Sequence, residues 1–136
     1  MSVEMNPIGY VQTDEGKPPR HWTVSNMKGR LIIDEQYKLG LMDIHPGDQI
    51  VVLFHFHESP PFDPSFLRRK PSHHKEIKGV FSLCSPVRPN PIGLSVLDVL
   101  KVEDTVISVK GLDMTDGTPI LDLKPHVIKE KKHSKN

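Results

Sequence analysis

The stretch from Arg88 to Gly93 contains residue types that could bind a planar polar ligand. It reads Arg-Pro-Asn-Pro-Ile-Gly. Each proline fixes its own φ and pushes the preceding residue into extended geometry, so we expect the Arg88 and Asn90 side chains to leave on the same side. A guanidinium beside a carboxamide offers several donors and one acceptor, and Gly93 allows a ligand or a backbone segment to approach closely. The stretch is therefore predicted to form part of a binding site.

A second polar segment begins about twenty residues later with Asp116-Gly117-Thr118-Pro119. Aspartate can accept hydrogen bonds from backbone amides ahead of it, and glycine can adopt a positive φ, so the first two residues are typical of a turn. The backbone groups of such a turn could bind a small molecule. A purely structural hairpin turn is the alternative.

The strand predicted after this turn, Ile120 to Lys124, would have two different faces. Side chains alternate along a strand, so Leu121 and Leu123 are expected to face a core. The opposite face would carry an acid, an amine and an imidazole, which are Asp122, Lys124 and His126. Such a set could take part in catalysis, but a solvated face with a surface ion pair has the same spacing.

Two histidines suggest a different class of site. His55 and His57 end the apolar run from Gln49 to His57, and alternate residues of a strand share a face, so both imidazoles could bind a transition metal as in cupin barrels. Two ligands do not complete such a site, and a further one would have to come from His73, His74 or His126. A hydrogen-bonded histidine pair at a strand end is the alternative.

The elements that position these residues are predicted to be short strands. Thirteen prolines and nine glycines interrupt the chain, and no sustained 3.6-residue apolar period appears, which favours an all-β barrel or sandwich. A short helix is possible around Glu35 to Leu41, and a hairpin with its turn at Glu103-Asp104 is predicted over 96–109. The predicted strands are Ile8 to Gln12, Gly29 to Ile33, Gln49 to His57, Gly79 to Cys84, Gly93 to Leu100, Thr105 to Gly111 and Ile120 to Lys124.

Two segments are predicted to lie outside the core. Residues 59–78 are rich in proline and contain Arg68-Arg69, which is typical of a long mobile loop that contacts RNA phosphates or is simply solvated. The basic tail, residues 129–136, is predicted to be disordered. The chain is therefore interpreted as one domain, residues 1–128, followed by this tail.

Composition restricts the function only weakly. The formal net charge of +1 gives no global argument for nucleic-acid binding. Cys84 is the only cysteine, which excludes an internal disulfide and a multi-cysteine zinc site and fits a reducing cytoplasm. The start lacks a signal-peptide pattern, and no apolar run approaches the ~20 residues of a spanning helix. We therefore expect a cytoplasmic protein without a membrane partner.

The two polar motifs, residues 88–95 and 116–125, closely resemble the TsaA-like, or TrmO, family of tRNA methyltransferases. The resemblance extends through Ile8-Gly9-Tyr10-Val11, Pro19-Arg20-His21, Phe56-His57-Glu58 and Gly79-Val80-Phe81. It implies a small β-barrel that binds S-adenosylmethionine without a Rossmann fold and acts as a homodimer. It also implies methylation of the exocyclic nitrogen of N6-threonylcarbamoyladenosine at tRNA position 37. An S-adenosylmethionine-binding module without transferase activity is the alternative within this resemblance.

The resemblance also assigns roles to individual positions, and it includes no metal ligand. The cofactor contacts it implies are Arg20, His21, His57, Glu58, Asn90, Leu94, Asp116, Gly117, Thr118 and Pro119. The residues predicted to act in catalysis are Asp122, Lys124, His126 and Arg88, because the urea-like acceptor nitrogen needs a base or a polarising contact. Three positions depart from the family pattern: His21 replaces a glutamine, Cys84 an arginine and His126 a tyrosine.

Overall fold

The chain folds into a closed antiparallel β-barrel. The computed structural model describes residues 1–70 and 75–129. Its strands are β1 (Gly9–Gln12), β2 (Lys28–Ile33), β3 (Gln49–His55), β4 (Arg68–Arg69), β5 (Lys78–Gly79), β6 (Ile92–Glu103), β7 (Val106–Lys110) and β8 (Pro119–Pro125). Around the barrel the order is β1-β2-β7-β6-β3-β8, and β4 and β5 form a separate two-stranded sheet. The prediction of an all-β fold is confirmed, and so is the barrel implied by the family resemblance.

Six of the seven predicted strands are present, with ends that differ from the prediction by no more than three residues. The hairpin of β6 and β7 is also present, and its turn falls on Asp104-Thr105, with a φ of 56° at Asp104. The exception is Gly79 to Cys84. Only Gly79 belongs to a strand there, because the Leu83 amide donates to the Val80 carbonyl at 3.1 Å and closes a 3₁₀ turn instead of pairing with another strand.

The longest helix in the described residues is the 3₁₀ helix Glu35–Leu41, at the position of the predicted short helix. The other three are single 3₁₀ turns, Trp22–Val24, Pro64–Leu67 and Val80–Ser82. None of the helices in the described part of the chain is long and apolar enough to cross a membrane.

Aliphatic side chains fill the barrel interior. The period-2 alternation is clear on β3, where Ile50, Val52 and Phe54 are buried and the residues between them are partly exposed. Burial of one such side chain contributes about 1.5–3 kcal/mol. The other strands supply Val11, Leu31, Ile33, Leu97, Val99, Ile107, Val109 and Ile120 to the same core.

β8 departs from strict alternation through a bulge. The pairing with β3 shifts between Leu53 and Phe54, so that Phe54 lies opposite Ile120 and Leu53 opposite Asp122. Leu121 is therefore the extra residue of the bulge. Leu123 packs against the core as predicted, but the prediction that Leu121 also faces the core is wrong, because the bulge turns it to a half-exposed position.

Candidate functional site

A cavity of about 700 Å³ lies where the end of β3 meets the start of β6. Four irregular segments complete its wall: residues 20–22, 56–60, 83–88 and 113–115. Its volume falls within the range of about 300–1,000 Å³ that is usual for small-molecule sites. The strands are rigid and the four segments vary in chemistry, so the cavity combines a fixed apolar wall with several polar groups.

The apolar wall is largely aromatic. The rings of Phe54 and Phe56 meet edge to face with centroids 4.9 Å apart, and Trp22 lines the cavity with them. A Cβ atom added at Gly93 would overlap Cζ of Phe54. The close approach expected at Gly93 is therefore made by the Phe54 ring, and the glycine sets the position of this wall.

Basic and acidic side chains also line the cavity. Arg20 and His21 enter from the segment before the first 3₁₀ turn, and Nδ1 of His21 lies 2.7 Å from the Thr23 hydroxyl. On the other side, Nε2 of His57 lies 3.6 Å from a carboxylate oxygen of Glu58. The cavity thus offers both charge signs to a zwitterionic ligand.

Arg88 is half-buried in the cavity wall. Its Nη1 donates to the carbonyl oxygens of Leu83 at 2.9 Å and Ser85 at 3.2 Å. It therefore holds the 83–88 segment in shape as well as presenting charge to the cavity. Asn90 does not accompany it: the chain turns where the Ile92 amide donates to the Asn90 carbonyl at 2.7 Å, and the Asn90 side chain is exposed outside the lining.

The turn predicted at Asp116-Gly117 is confirmed, with a φ of 85° at Gly117. The Asp116 carboxylate accepts from the backbone amide of Thr13 at 2.9 Å, behind it in the chain, so it anchors the turn to the residue after β1. Thr118 is buried and lines the cavity, and its hydroxyl donates to the Thr115 carbonyl at 2.8 Å. Asp116 and Gly117 therefore position Thr118 from outside the cavity.

The structure divides the predicted site residues into two groups. The cavity lining contains Arg20, His21, His57, Glu58, Arg88, Leu94 and Thr118. Outside the lining lie Asn90, Asp116, Gly117, Pro119, Asp122, Lys124 and His126. The cofactor and catalytic roles of both groups stay predictions.

The acid, amine and imidazole after the turn lie on the outer surface of the barrel. Nζ of Lys124 is 2.8 Å from a carboxylate oxygen of Asp122, and both side chains are about half exposed. Nδ1 of His126 lies 3.2 Å from Oε1 of Gln49. Within one chain, the arrangement is that of a surface ion pair beside a hydrogen-bonded imidazole.

His55 and His57 both line the cavity, and the His57 amide donates to the His55 carbonyl at 2.8 Å. Across residues 1–70 and 75–129, no three side chains of His, Cys, Asp or Glu are grouped as a metal ion would require. His73 and His74, considered above as further ligands, lie outside the described residues.

Asp113 lines the cavity and was not among the predicted residues. The Ser95 hydroxyl, which is fully buried, donates to its Oδ1 at 2.5 Å. Burial raises the pKa of Asp113 above its ordinary value, while the Ser95 hydroxyl, the Trp22 amide and the nearby His21 act in the opposite direction. A signal was present in the sequence, because an acid stands between Leu112 and Met114, two apolar residues that are buried.

Comparison with known proteins agrees with this geometry. Residues 9–130 match the family model of the tRNA-methyltransferase O N-terminal domain. The chain is 42% identical over 121 residues to a probable S-adenosyl-L-methionine-binding protein, VirR, of Rhizobium radiobacter, covering 87% of this chain and 67% of that one. It is 33% identical over 129 residues to the tRNA (adenine(37)-N6)-methyltransferase of Mus musculus, covering 89% of this chain and 30% of the mouse protein.

A solved structure shows the same fold. The crystal structure of TrmO from Pseudomonas aeruginosa superimposes with a TM-score of 0.73 and 28% identity, over 93% of this chain and 57% of the other. The chain thus spans about two thirds of the Rhizobium protein, just over half of the crystallised one and under a third of the mouse enzyme. The matched family model nevertheless covers every strand of the barrel. The chain therefore belongs to the tRNA-methyltransferase O N-terminal domain family.

Proposed function

We propose that this chain is an S-adenosylmethionine-dependent methyltransferase that methylates the exocyclic nitrogen of N6-threonylcarbamoyladenosine at position 37 of tRNA. The observation that carries the proposal is the 700 Å³ cavity, which joins an aromatic wall to charged groups of both signs in a chain of this family. The relatives from Mus musculus and Rhizobium radiobacter support the tRNA adenine and the cofactor, respectively, because the first is a tRNA (adenine(37)-N6)-methyltransferase and the second a probable S-adenosyl-L-methionine-binding protein.

The cavity lining fits S-adenosylmethionine chemically. Phe54, Phe56 and Trp22 provide faces and edges on which an adenine ring can pack. Arg20 suits the methionine carboxylate, and Glu58 suits the ammonium group or the ribose hydroxyls. When bound, the cofactor supplies a methyl group made electrophilic by its sulfonium. The chain's own residues then have to hold the acceptor in line and exclude water.

The predicted cofactor residues outside the lining have a supporting role in this proposal. Asp116 anchors the turn to Thr13, and Gly117 provides its positive φ, so together they fix the cavity residue Thr118. Pro119 begins β8 directly after it. These contacts fix the position of the cavity wall at Thr118.

A basic hairpin beside the cavity supports tRNA as the partner. Residues 68–70 and 75–78, in and around β4 and β5, contain five basic side chains and one acid. Nη1 of Arg69 donates to the Ser85 hydroxyl at 2.8 Å, and the carbonyl of Ser85 accepts from Arg88 of the cavity wall. The hairpin is thus linked to the cavity wall through Ser85. We propose that its charges bind phosphates next to the acceptor base.

We also propose a homodimer in the cytoplasm, the compartment of the proposed tRNA substrate. Leu94 of β6 and Leu53 of β3 are neighbours on the outer face of the barrel and form an apolar row, with Asp122 of β8 next to its Leu53 end. Leu94 is 52% exposed and also borders the cavity. A second copy packed on this face would cover the apolar row. The polar groups of that copy would then lie near the cavity, so that Asp122 and Lys124 of one copy would act in catalysis at the cavity of the other.

Two assays test the function. Purified protein is first titrated calorimetrically with S-adenosylmethionine and S-adenosylhomocysteine, and then incubated with methyl-labelled cofactor and tRNA from a strain that lacks the protein. We expect binding of both molecules and incorporation of label into tRNA. Binding without incorporation would support the alternative, a binding module without transferase activity. Absence of both binding and incorporation would contradict the cofactor assignment as well.

A further inference from the structure

Asp113 is a partly buried titratable group in the cavity that the predicted roles leave unused. Its carboxylate faces a cavity lined by apolar Phe54, Leu83 and Met114. Oδ1 is fixed by the Ser95 hydroxyl at 2.5 Å, and Ser95 is fully buried in β6. The carboxylate is therefore held by the rigid barrel in a partly desolvated position, as expected for a group whose orientation matters in a reaction.

We propose that the Asp113 carboxylate is the general base that accepts the proton of the acceptor nitrogen during methyl transfer. This inference rests on the proposed function. In the step, the sulfonium–methyl bond breaks with its electron pair remaining on sulfur, which yields the neutral thioether. A carbon–nitrogen bond forms from the nitrogen lone pair, and the N–H proton moves to Asp113, which later releases it to solvent.

The other acids near the cavity are less suited to this role. Glu58 lies 3.6 Å from the His57 imidazole, and its side chain is 68% exposed, so its environment resembles water. Asp122 is paired with Lys124 outside the lining. Asp113 combines access to the cavity with low solvation, and a base in such an environment binds a proton more strongly than an exposed carboxylate.

Several titratable groups line the same cavity as Asp113, including His57 and Glu58 on the segment after β3. His21, when charged, favours the ionised carboxylate. Arg20 and Arg88 add positive charge, while His55 and Cys84 also line the wall. Because burial outweighs the favourable contacts, the pKa of Asp113 is raised. The base form is therefore lost as the pH falls through that raised pKa, and we expect an acidic limb in the pH profile of turnover.

The test compares wild type, Asp113→Asn and Ser95→Ala in single-turnover methyl transfer to tRNA across pH. For Asp113→Asn we expect turnover to fall by about 10²- to 10⁴-fold. Its affinities for S-adenosylmethionine and S-adenosylhomocysteine should change by less than about threefold. For Ser95→Ala we expect a smaller fall in turnover than for Asp113→Asn, because the carboxylate is still present but no longer held by its hydrogen bond. We also expect its acidic limb to move to higher pH, because the hydrogen bond that lowers the pKa of Asp113 is removed. Thermal melting of each variant confirms that it is folded.

Four results would overturn the inference. The first is near-normal turnover of Asp113→Asn. The second is a pH profile of Ser95→Ala whose acidic limb lies at the same pH as that of wild type. The third is a selective loss of affinity for S-adenosylmethionine but not for S-adenosylhomocysteine, which would make Asp113 a counter-ion for the sulfonium and not a base. In the fourth, wild type binds cofactor and methylates no tRNA, so that the proposed function and this inference fall together. The first three leave the proposed function intact.

Discussion

The role proposed for Asp113 would favour activity over stability at a single residue. Its carboxylate is placed among apolar side chains of the cavity wall, where burial raises its pKa. One short hydrogen bond from Ser95 holds it there. A group in this position is unfavourable when charged, yet the same raised pKa makes it a better proton acceptor.

The stability of the protein should therefore depend on pH through Asp113. The folded state binds the Asp113 proton more tightly than the unfolded chain, so this contribution to stability is present below the unfolded pKa and is lost as pH rises through the folded pKa. Asp113→Asn cannot ionise. We expect it to melt at a higher temperature than wild type at about pH 7, with the difference shrinking as pH falls below the ordinary carboxyl range. Calorimetric melts across pH measure this.

A matched control is Asp98→Asn, because Asp98 is an exposed aspartate on β6 that accepts from Gln49 at 3.1 Å. This variant should gain no comparable stability at neutral pH. If Asp113→Asn melts below wild type at neutral pH by as much as it does in acid, the proposed desolvation of Asp113 is contradicted.

The residue types that form the site could be predicted from the sequence. The directions in which their side chains point could be predicted only in part. The Arg88 side chain reaches the cavity as its motif suggested, whereas Asn90 does not, because a local hydrogen bond turns the backbone between them. Asp113 was missed because its role depends on Ser95, eighteen residues away in sequence and brought near only by the closed barrel. Contacts of this kind follow from the tertiary fold and not from local pattern.

At the scale of the elements, β3 and β6 together shape the cavity. Phe54 of β3 lies over Gly93 of β6, its pairing partner, and the absence of a side chain at that position lets the ring lie against the strand. The ring also meets Phe56 edge to face. The aromatic wall therefore depends on one glycine in the neighbouring strand.

Gly93→Ala should disturb both stability and cofactor binding. The new Cβ would overlap the Phe54 ring, which is 3% exposed and has little room to move. We expect a loss of about 1–3 kcal/mol in the free energy of unfolding, as in other overpacked cores. We also expect weaker binding of S-adenosylhomocysteine, measured by calorimetric titration, because the wall of the cavity is displaced.

Gly40→Ala is the matched control, since a Cβ at Gly40 meets nothing within 4 Å. It should leave the affinity for S-adenosylhomocysteine unchanged. Equal effects of the two substitutions, or normal cofactor affinity in Gly93→Ala, would show that the Phe54 wall does not contact the cofactor.

The positions of the strands could be predicted from local sequence patterns. The irregularities within the strands could not. The continuous apolar run from Ile50 to Phe54 made β3 predictable. The bulge at Leu121 was not predictable, because it arises from how β8 pairs with β3 at the point where the barrel closes. Residues 79–84 read as a strand because they include the apolar Val80, Phe81 and Leu83, but the Leu83 amide donates to the Val80 carbonyl and closes a 3₁₀ turn.

At the scale of the whole molecule, the position of the charged side chains matters more than the net charge. The formal net charge is only +1, yet the basic hairpin of β4 and β5 concentrates positive charge beside the cavity. Phosphate contacts from such a patch give binding that weakens steeply with salt. The global charge therefore says little about tRNA binding, and the placement of the charge says more.

Reversing charge on the hairpin should weaken tRNA binding without affecting the cofactor. We expect Arg68→Glu/Lys70→Glu to lower tRNA affinity and to reduce the slope of log affinity against log salt by about one for each phosphate that the variant no longer binds. The control is Lys28→Glu/Arg30→Glu, the same change of charge on β2, which contributes no residue to the cavity. Filter binding over a range of salt concentrations would contradict the proposal if both pairs weakened binding equally.

The proposed homodimer predicts that an outer-face leucine controls assembly. Sedimentation should give wild type a mass of twice 15.4 kDa, and Leu53→Asp should shift the protein to monomer because it places a charge in the apolar row. Ile32→Asp, a partly exposed residue on β2, is the matched control and should remain dimeric. A monomeric wild type at micromolar concentration would rule out the proposed homodimer.

The most direct test of the proposed function is mass spectrometry of nucleosides from tRNA after incubation with the protein and S-adenosylmethionine. Two substrates are compared: tRNA that carries N6-threonylcarbamoyladenosine at position 37, and the same transcript with unmodified adenosine there. We predict one added methyl group on the modified nucleoside at position 37 and none on the unmodified transcript. No methylation of either tRNA by protein that binds the cofactor, or methylation at another nucleotide, would contradict the proposed function.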